Sequence, residues 1–226
     1  MTPPLADHGP ICGLVARFGS LAIPALERRI GEGSADVRFY VTVALGELAR
    51  DAALRHLGGR LFDRDAAVRK AAVDAILRLP ASPSRTAIVE SLRGELPGPE
   101  RERQRMAADA LGVLGDAPSV PRLVELVKHD DTAVQSAARK ALLSITKQDF
   151  GTSRWRWRGW WDRHKNEARE EWLFEGLGHA EDDVRASAAE ELKRLYTEHF
   201  GYHWDAPKRE REDARKRWLD WYRARR

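Results

Sequence analysis

Four stretches of the chain can be laid over one another with their apolar positions in register: SADVRFYVTVALGEL from Ser34, DAAVRKAAVDAILRL from Asp65, DTAVQSAARKALLSI from Asp131 and EDDVRASAAEELKRL from Glu181. Val37, Val68, Val134 and Val184 share one column, and Arg38, Arg69, Gln135 and Arg185 share the next. Small or apolar residues stand three and four places after each valine, and Leu45, Ile76, Leu142 and Leu192 stand eight places after it. A weaker copy, ERERQRMAADALGVL from Glu100, joins the set with Arg103 in the valine column. Apolar residues at i, i+3, i+4, i+7 and i+8 form the stripe of an amphipathic helix. Alanine in the close-packed columns lets a neighbouring helix approach. Ser34, Asp65 and Asp131, three places before the valine, are predicted N-caps, because their side-chain oxygens can accept from the unpaired amides of the first turn. Glu181 is a poorer cap, and Asp182 takes the role if the helix starts one residue later.

A second apolar helix precedes each copy: SLAIPALERRI, RDAALRHLGGRLF, PSRTAIVESLRGEL, PSVPRLVELVK and AREEWLFEGL. Short turns rich in Gly, Pro and Asp, such as LPASPS, LPGPE, GDAPS and KHDD, separate the members. The copies recur every 31 to 35 residues, apart from one gap of 50. A helical hairpin of this length buries its stripe only against its neighbours, which is the logic of a solenoid. The D-x-x-V-R-x-x-A-A-x-x-A-L pattern, together with LGDAPSVPRLVELVKHDD, resembles HEAT repeats, in particular the short bacterial type known as PBS-lyase HEAT-like, over roughly residues 20 to 200. The resemblance implies an all-α fold, a right-handed α-α superhelix of the HEAT/armadillo type with about five hairpins and a Trp-rich C-terminal cap. Residues 1–19 then form an N-terminal segment or partial capping helix, and residues 20–150 the HEAT-like repeats. Residues 151–226 add a Trp/Arg-rich repeat and a capping helix to the same continuous solenoid.

All eight tryptophans lie beyond residue 150. LLSITKQDFG from Leu142 parallels KRLYTEHFG from Lys193, so Thr146 matches Thr197 and Phe150-Gly151 matches Phe200-Gly201. Downstream, WRGWW from Trp157 parallels WLDWY from Trp218, after a spacer about ten residues longer. Two copies with unequal spacers argue for a structural module used twice. Gly151 and Gly201 suit turns with positive φ, and Phe150 and Phe200 are placed to plug the space between hairpins. Trp157, Trp160, Trp161, Trp218 and Trp221 fall at helical spacing and are predicted packing residues. The stripe runs from Trp161 through Ala168 to Trp172 if one helix is continuous there. Trp155 and Trp204 fall outside the duplicated columns, in the linkers after Phe-Gly, and are the rings expected to be available to a partner.

Composition adjusts this picture only a little. Charged residues make up 33% of the chain, in keeping with a thin helical architecture, and the net charge of +4 permits but does not require an acidic partner. Cys12 is the only cysteine, which excludes an internal disulfide and a cysteine-based zinc site. The N-terminus lacks the basic and apolar regions of a signal peptide, and no apolar run reaches spanning length. A cytoplasmic protein without membrane association is expected, and a monomer. LGGRLF lacks the context of a phosphate loop, and no nucleophile elbow occurs. His199, His203 and Asp205 lie close together, but Gly201 puts them in a turn. No catalytic, cofactor or metal site is predicted.

The leading functional reading is a non-enzymatic protein-interaction scaffold. Its candidate partner surface is Lys70, Asp74, Gln135 and Arg139 on the second helices, with Arg154, Trp155, Arg156, Arg158 and Trp204 in the C-terminal part. Arg38, Arg69 and Arg185 are instead expected to pair with an acid of the adjacent repeat. The alternative is nucleic-acid binding, with Arg154, Arg156 and Arg158 neutralising phosphates and rings stacking on bases; HEAT-like alkylpurine glycosylases set a precedent for this fold on DNA. A third reading, a chromophore lyase, follows from the family resemblance alone.

Overall fold

The structure, a computed structural model, describes residues 1–48 and 54–225, with side chains at all of these except 54 and 55. The start of the predicted helix RDAALRHLGGRLF therefore lies outside the described residues. Every regular element among those described is helical. The backbone falls into two compact units, Met1–Leu114 and Gly115–Arg226.

The N-terminal unit opens with a 3-10 turn at Leu5–His8 and continues through α1 (Pro10–Phe18), α2 (Ile23–Arg29), α3 (Ala35–Leu48), α4 (Leu54–Arg60), α5 (Ala66–Arg78), α6 (Pro83–Glu95) and α7 (Arg101–Leu114). The pairs α2/α3, α4/α5 and α6/α7 pack as hairpins, α3 lies on α5 and α5 on α7, and α4 lies on α6. The C-terminal unit holds α8 (Val120–Leu126), α9 (Thr132–Thr146), α10 (Arg154–His164), α11 (Arg169–Gly176), α12 (Asp182–Leu195) and α13 (Lys208–Arg223). Here α8/α9 and α11/α12 are the hairpins. The two Trp-bearing helices return onto the first helix of the preceding hairpin, α10 onto α8 and α13 onto α11. The long gap between the third and fourth strong copies is thus a third helix, and the C-terminal unit is a three-helix motif used twice.

Local chemistry sets the helix starts. Asp65 accepts from the amides of Ala67 at 2.8 Å and Val68 at 3.2 Å, and Asp131 accepts from Ala133 at 2.9 Å and Val134 at 3.2 Å. Ser34 accepts from Val37 at 3.4 Å. Glu181 occupies the N-cap of α12 without a side-chain bond, and Asp182 is already inside the first turn, where it binds Arg185. Val68, Val134 and Val184 are buried, as are Leu45, Ile76, Leu142 and Leu192. The first copy departs from the pattern: Val37 is 40% exposed and lies beside Gly33. Helices α3 and α5 approach closely at Gly46, where an added Cβ would lie 2.4 Å from the Cβ of Ala75. Only glycine lets α3 meet α5 at that point.

The N-terminal segment covers this unit. Leu5 is buried with Val43, Ala44 and Ala71, and its amide donates to Glu47 at 2.7 Å. Cys12, Val15, Ala16 and Leu26 pack on the same cluster. Against the expectation of no spanning segment, Pro10–Arg29 has the length and mean hydropathy, 1.2, of a helix able to cross a membrane. In this fold it is interrupted at Gly19, whose φ is 56°, and part of its apolar surface already packs on α3.

Candidate interaction surfaces

The arginine column binds within its own unit. Arg38 grips buried Asp63 through two bonds of 2.8 and 2.9 Å and donates to the Gly33 carbonyl at 2.9 Å. Burial pushes the Asp63 carboxyl up, but the bonds from Arg38 and the Asp65 amide, with the charges of Arg38 and Arg60, leave it below its ordinary value. Arg69 donates instead to two backbone carbonyls, Asp63 at 2.7 Å and Arg64 at 3.1 Å. Arg185 reaches the carbonyls of His179, Ala180 and Trp204 as well as Asp182. In the weaker copy Gln104 takes the column and donates to the Leu96 carbonyl at 3.0 Å. The shared task is to satisfy carbonyls of the turn that leads into the helix carrying the column. Arg38 meets the expected acid, whereas Arg69 meets main chain. His129 and His179 form a smaller repeated device: each Nδ1 accepts the amide two residues on, at 3.0 and 3.1 Å.

Between α5 and α7 lies a groove of about 310 Å³. Its floor is apolar, with Leu61, Val73, Met106 and Ala110, and Arg69, Lys70 and Asp109 stand on its rim. Val113, at its edge, is 56% exposed. Asp74 also borders it but is buried, which corrects its expected place on the surface. Lys70 binds it at 2.6 Å, and the backbone amide and hydroxyl of Thr2 donate to it at 2.6 and 2.7 Å. Burial pushes the Asp74 carboxyl up, and these bonds pull it below its usual value. The carbonyl of Thr2 accepts from Arg78, so the chain start lies along α5.

The Arg/Trp segment does not present three unengaged cations. Arg154 donates to the Glu125 carbonyl, and Arg158 pairs with the Glu125 carboxylate at 2.7 Å. Arg156 lies over the Phe150 ring at 5.0 Å. On α9, Arg139 is bound to Asp149, while Gln135 is half-buried. Trp155 is 77% exposed and stands on the first turn of α10, not in a linker. Trp204 is 41% exposed, in the turn before α13.

The Phe-Gly/Trp module is duplicated in its ring contacts. Phe150 meets Trp157 edge-on at 4.9 Å and 75°, and Phe200 meets Trp218 at 4.8 Å and 72°. The second rings, Trp160 and Trp221, lie 6.5 and 5.4 Å from the same phenylalanines. Gly151 and Gly201 both have positive φ, 56° and 68°. Trp157, Trp160 and Trp218 are buried, while Trp161 and Trp221 are half-buried. Two expected parallels fail. Thr146 is buried and donates to the Leu142 carbonyl at 2.7 Å, whereas Thr197 is exposed beyond the end of α12. The helix is also not continuous from Trp161 to Trp172, because α10 ends at His164 and α11 starts at Arg169. The two rings still meet, at 5.8 Å, across that break.

The family model for the PBS lyase HEAT-like repeat matches residues 104–129, which run from α7 through α8. The chain is similar to a designed armadillo repeat protein, with 17% identity and a TM-score of 0.35 over 81% of this chain and 90% of that one. No curated protein matches it. The matched stretch is one of the internal copies, a single HEAT-like repeat within an array that is helical throughout the described residues.

Proposed function

We propose that the protein is a non-enzymatic scaffold that binds another protein through the groove between α5 and α7. The observation that carries this reading is the groove itself: an apolar floor rimmed by charge, with Val113 exposed at its edge. Such a combination suits an apolar anchor from a partner surrounded by polar contacts. The Arg/Trp segment supports nucleic-acid binding less well, because Arg154 and Arg158 are bound to Glu125 and Arg156 to Phe150. Trp155 and Trp204 remain as additional contact points for the same partner. The lyase reading rests on the family's name, and product in a bilin-transfer assay would displace the scaffold reading. The direct test is capture of partners by the tagged protein from its native lysate, with and without nuclease. Defined proteins that persist after nuclease are expected. A captured set that collapses on nuclease treatment would transfer the role to nucleic acid.

A further inference from the structure

The C-terminal unit contains a second cavity, of about 350 Å³, that the scaffold reading does not use. Its walls are the turn at 177–180 between α11 and α12, Arg185 on α12, and Lys208, Arg211, Glu212 and Arg215 on α13. Four cations thus face one carboxylate. Their states differ. Arg185 commits four of its five N–H groups to backbone carbonyls and Asp182, so it supplies mainly charge. Arg211 and Arg215 are each anchored through Nε, to the Ala206 carbonyl at 2.9 Å and the Phe174 carbonyl at 2.6 Å, and the Arg211 head also meets the Tyr202 hydroxyl. Among the described residues neither has a carboxylate within 4.0 Å; the ion pairs at this cavity are Arg185–Asp182 and Lys208–Glu212. Two guanidinium heads are therefore held in place with most of their terminal N–H groups unspent.

Three further features point to an anion. Arg215 lies against Gly178, where an added Cβ would come within 3.0 Å of its terminal nitrogen, so glycine lets the head rest flat on the backbone. Lys208 is exposed and only loosely paired with Glu212, at 3.7 Å, and can turn toward a ligand. Lys208 and Arg211 also lie on the opening turn of a 16-residue helix whose N-cap, Pro207, supplies no side-chain acceptor, so its free amides and dipole favour negative charge at this end. The volume lies near the lower end of the ~300–1,000 Å³ range of small-molecule sites. Rigid guanidinium forks match the oxygens of a phosphate in paired fashion. We infer that this cavity is a binding site for a phosphate dianion, free or carried as the monoester of a small molecule, held by Arg211 and Arg215 with Lys208 closing over it.

The test is a titration of the whole chain with inorganic phosphate and, separately, phenyl phosphate at constant ionic strength. Binding is followed by amide chemical shifts at 177–180 and by calorimetry. Shifts confined to that turn and the start of α13 are expected. Arg211→Gln and Arg215→Gln should each weaken binding about ten-fold or more, the loss of a charge-assisted hydrogen bond. Arg209→Gln, at an exposed position outside the cavity, should leave it unchanged. Gly178→Val, which displaces the Arg215 head without removing charge, should weaken it as well. Tighter binding of phenyl phosphate identifies a monoester ligand, and exclusion of it identifies the free ion. Equal weakening by R209Q, or phosphate acting no better than chloride, would overturn the site. Melting curves identify any variant that fails to fold, and R211Q then carries the comparison alone.

Discussion

Replacing Trp157 by alanine should cost the C-terminal unit about 4 kcal/mol, while the same change at Trp155 should cost at most ~0.5 kcal/mol. Trp157 is wholly buried, and Trp155 is 77% exposed two residues earlier on the same helix. A buried indole hides roughly 150–250 Å², and at about 25 cal/mol per Å² its removal forfeits around 4 kcal/mol before alanine recovers a part. The edge-on contact with Phe150 at 4.9 Å adds about 1 kcal/mol. The Nε1–H donates to the Gly151 carbonyl at 3.0 Å, and stranding that carbonyl costs about 1 kcal/mol more. Partial collapse of the site offsets some of this sum, which returns it to the ~3–5 kcal/mol range of large core truncations. For a chain of this size that corresponds to a Tm lower by about 10 °C. Urea unfolding followed by far-ultraviolet circular dichroism is the suitable assay, because tryptophan fluorescence itself changes in these variants. W157F should retain the ring contact and lose mainly the hydrogen bond, at about 1–2 kcal/mol. Equal losses for W157A and W155A, both below about 1 kcal/mol, would refute the assignment of the duplicated rings to the core.

Trp218→Ala should reproduce the W157A loss to within about 1 kcal/mol, since the second module repeats the first ring for ring; a near-neutral result in the same unfolding assay would break the equivalence. Gly46→Ala should destabilise the N-terminal unit by about 1–3 kcal/mol through overpacking against Ala75; the pair G46A/A75G should recover most of it, and failure to recover would show that the close approach is not the cause. Asp63 and Asp74 have carboxyls held below their unfolded values, so their contribution is present above the unfolded value of about 3.9 and is lost as pH falls through the folded one. Stability of the N-terminal unit should therefore drop below about pH 4, and D63N should flatten that limb. Burial, with a hydrogen bond to Glu170 at 3.0 Å, pushes the Tyr196 phenol up to about 12. Its contribution is full below the ordinary value of about 10 and is lost as pH rises toward 12; burial pushes the Tyr202 phenol up as well, so ultraviolet titration should show late-ionising phenols of which Y196F removes one.

What could be read from the sequence was what depends on neighbours along the chain. Asp65 and Asp131 cap because a short acceptor two or three residues before an amide needs no tertiary context. The valine columns and the Trp157/Trp160 stripe follow from helical periodicity in the same way. Long-range contacts escaped it. Asp74 was expected on the surface and is buried because Thr2, 72 residues away, closes over it. Arg69 was assigned an acid and found the main chain of its own turn, since nothing in its local pattern tells a carboxylate from a carbonyl. The third helices were visible as tryptophan segments, but their return onto α8 and α11 was not. The basic cavity joins residues 177–185 to residues 208–215, and neither stretch alone reads as a site. The paired turn histidines, His129 and His179, carry a local signal of the same kind, a histidine two residues before each acidic cap.

The most direct measurement of the central claim is the partner set of Val113→Glu and Lys70→Glu, compared with wild type and with the triple change of Arg154, Arg156 and Arg158 to alanine, all captured after nuclease treatment. Val113 is exposed, so V113E should fold normally while placing a charge at the edge of the groove. The account expects the groove variants to lose the nuclease-resistant partners and the triple variant to keep them. Partners retained by both groove variants and lost by the triple variant would contradict it.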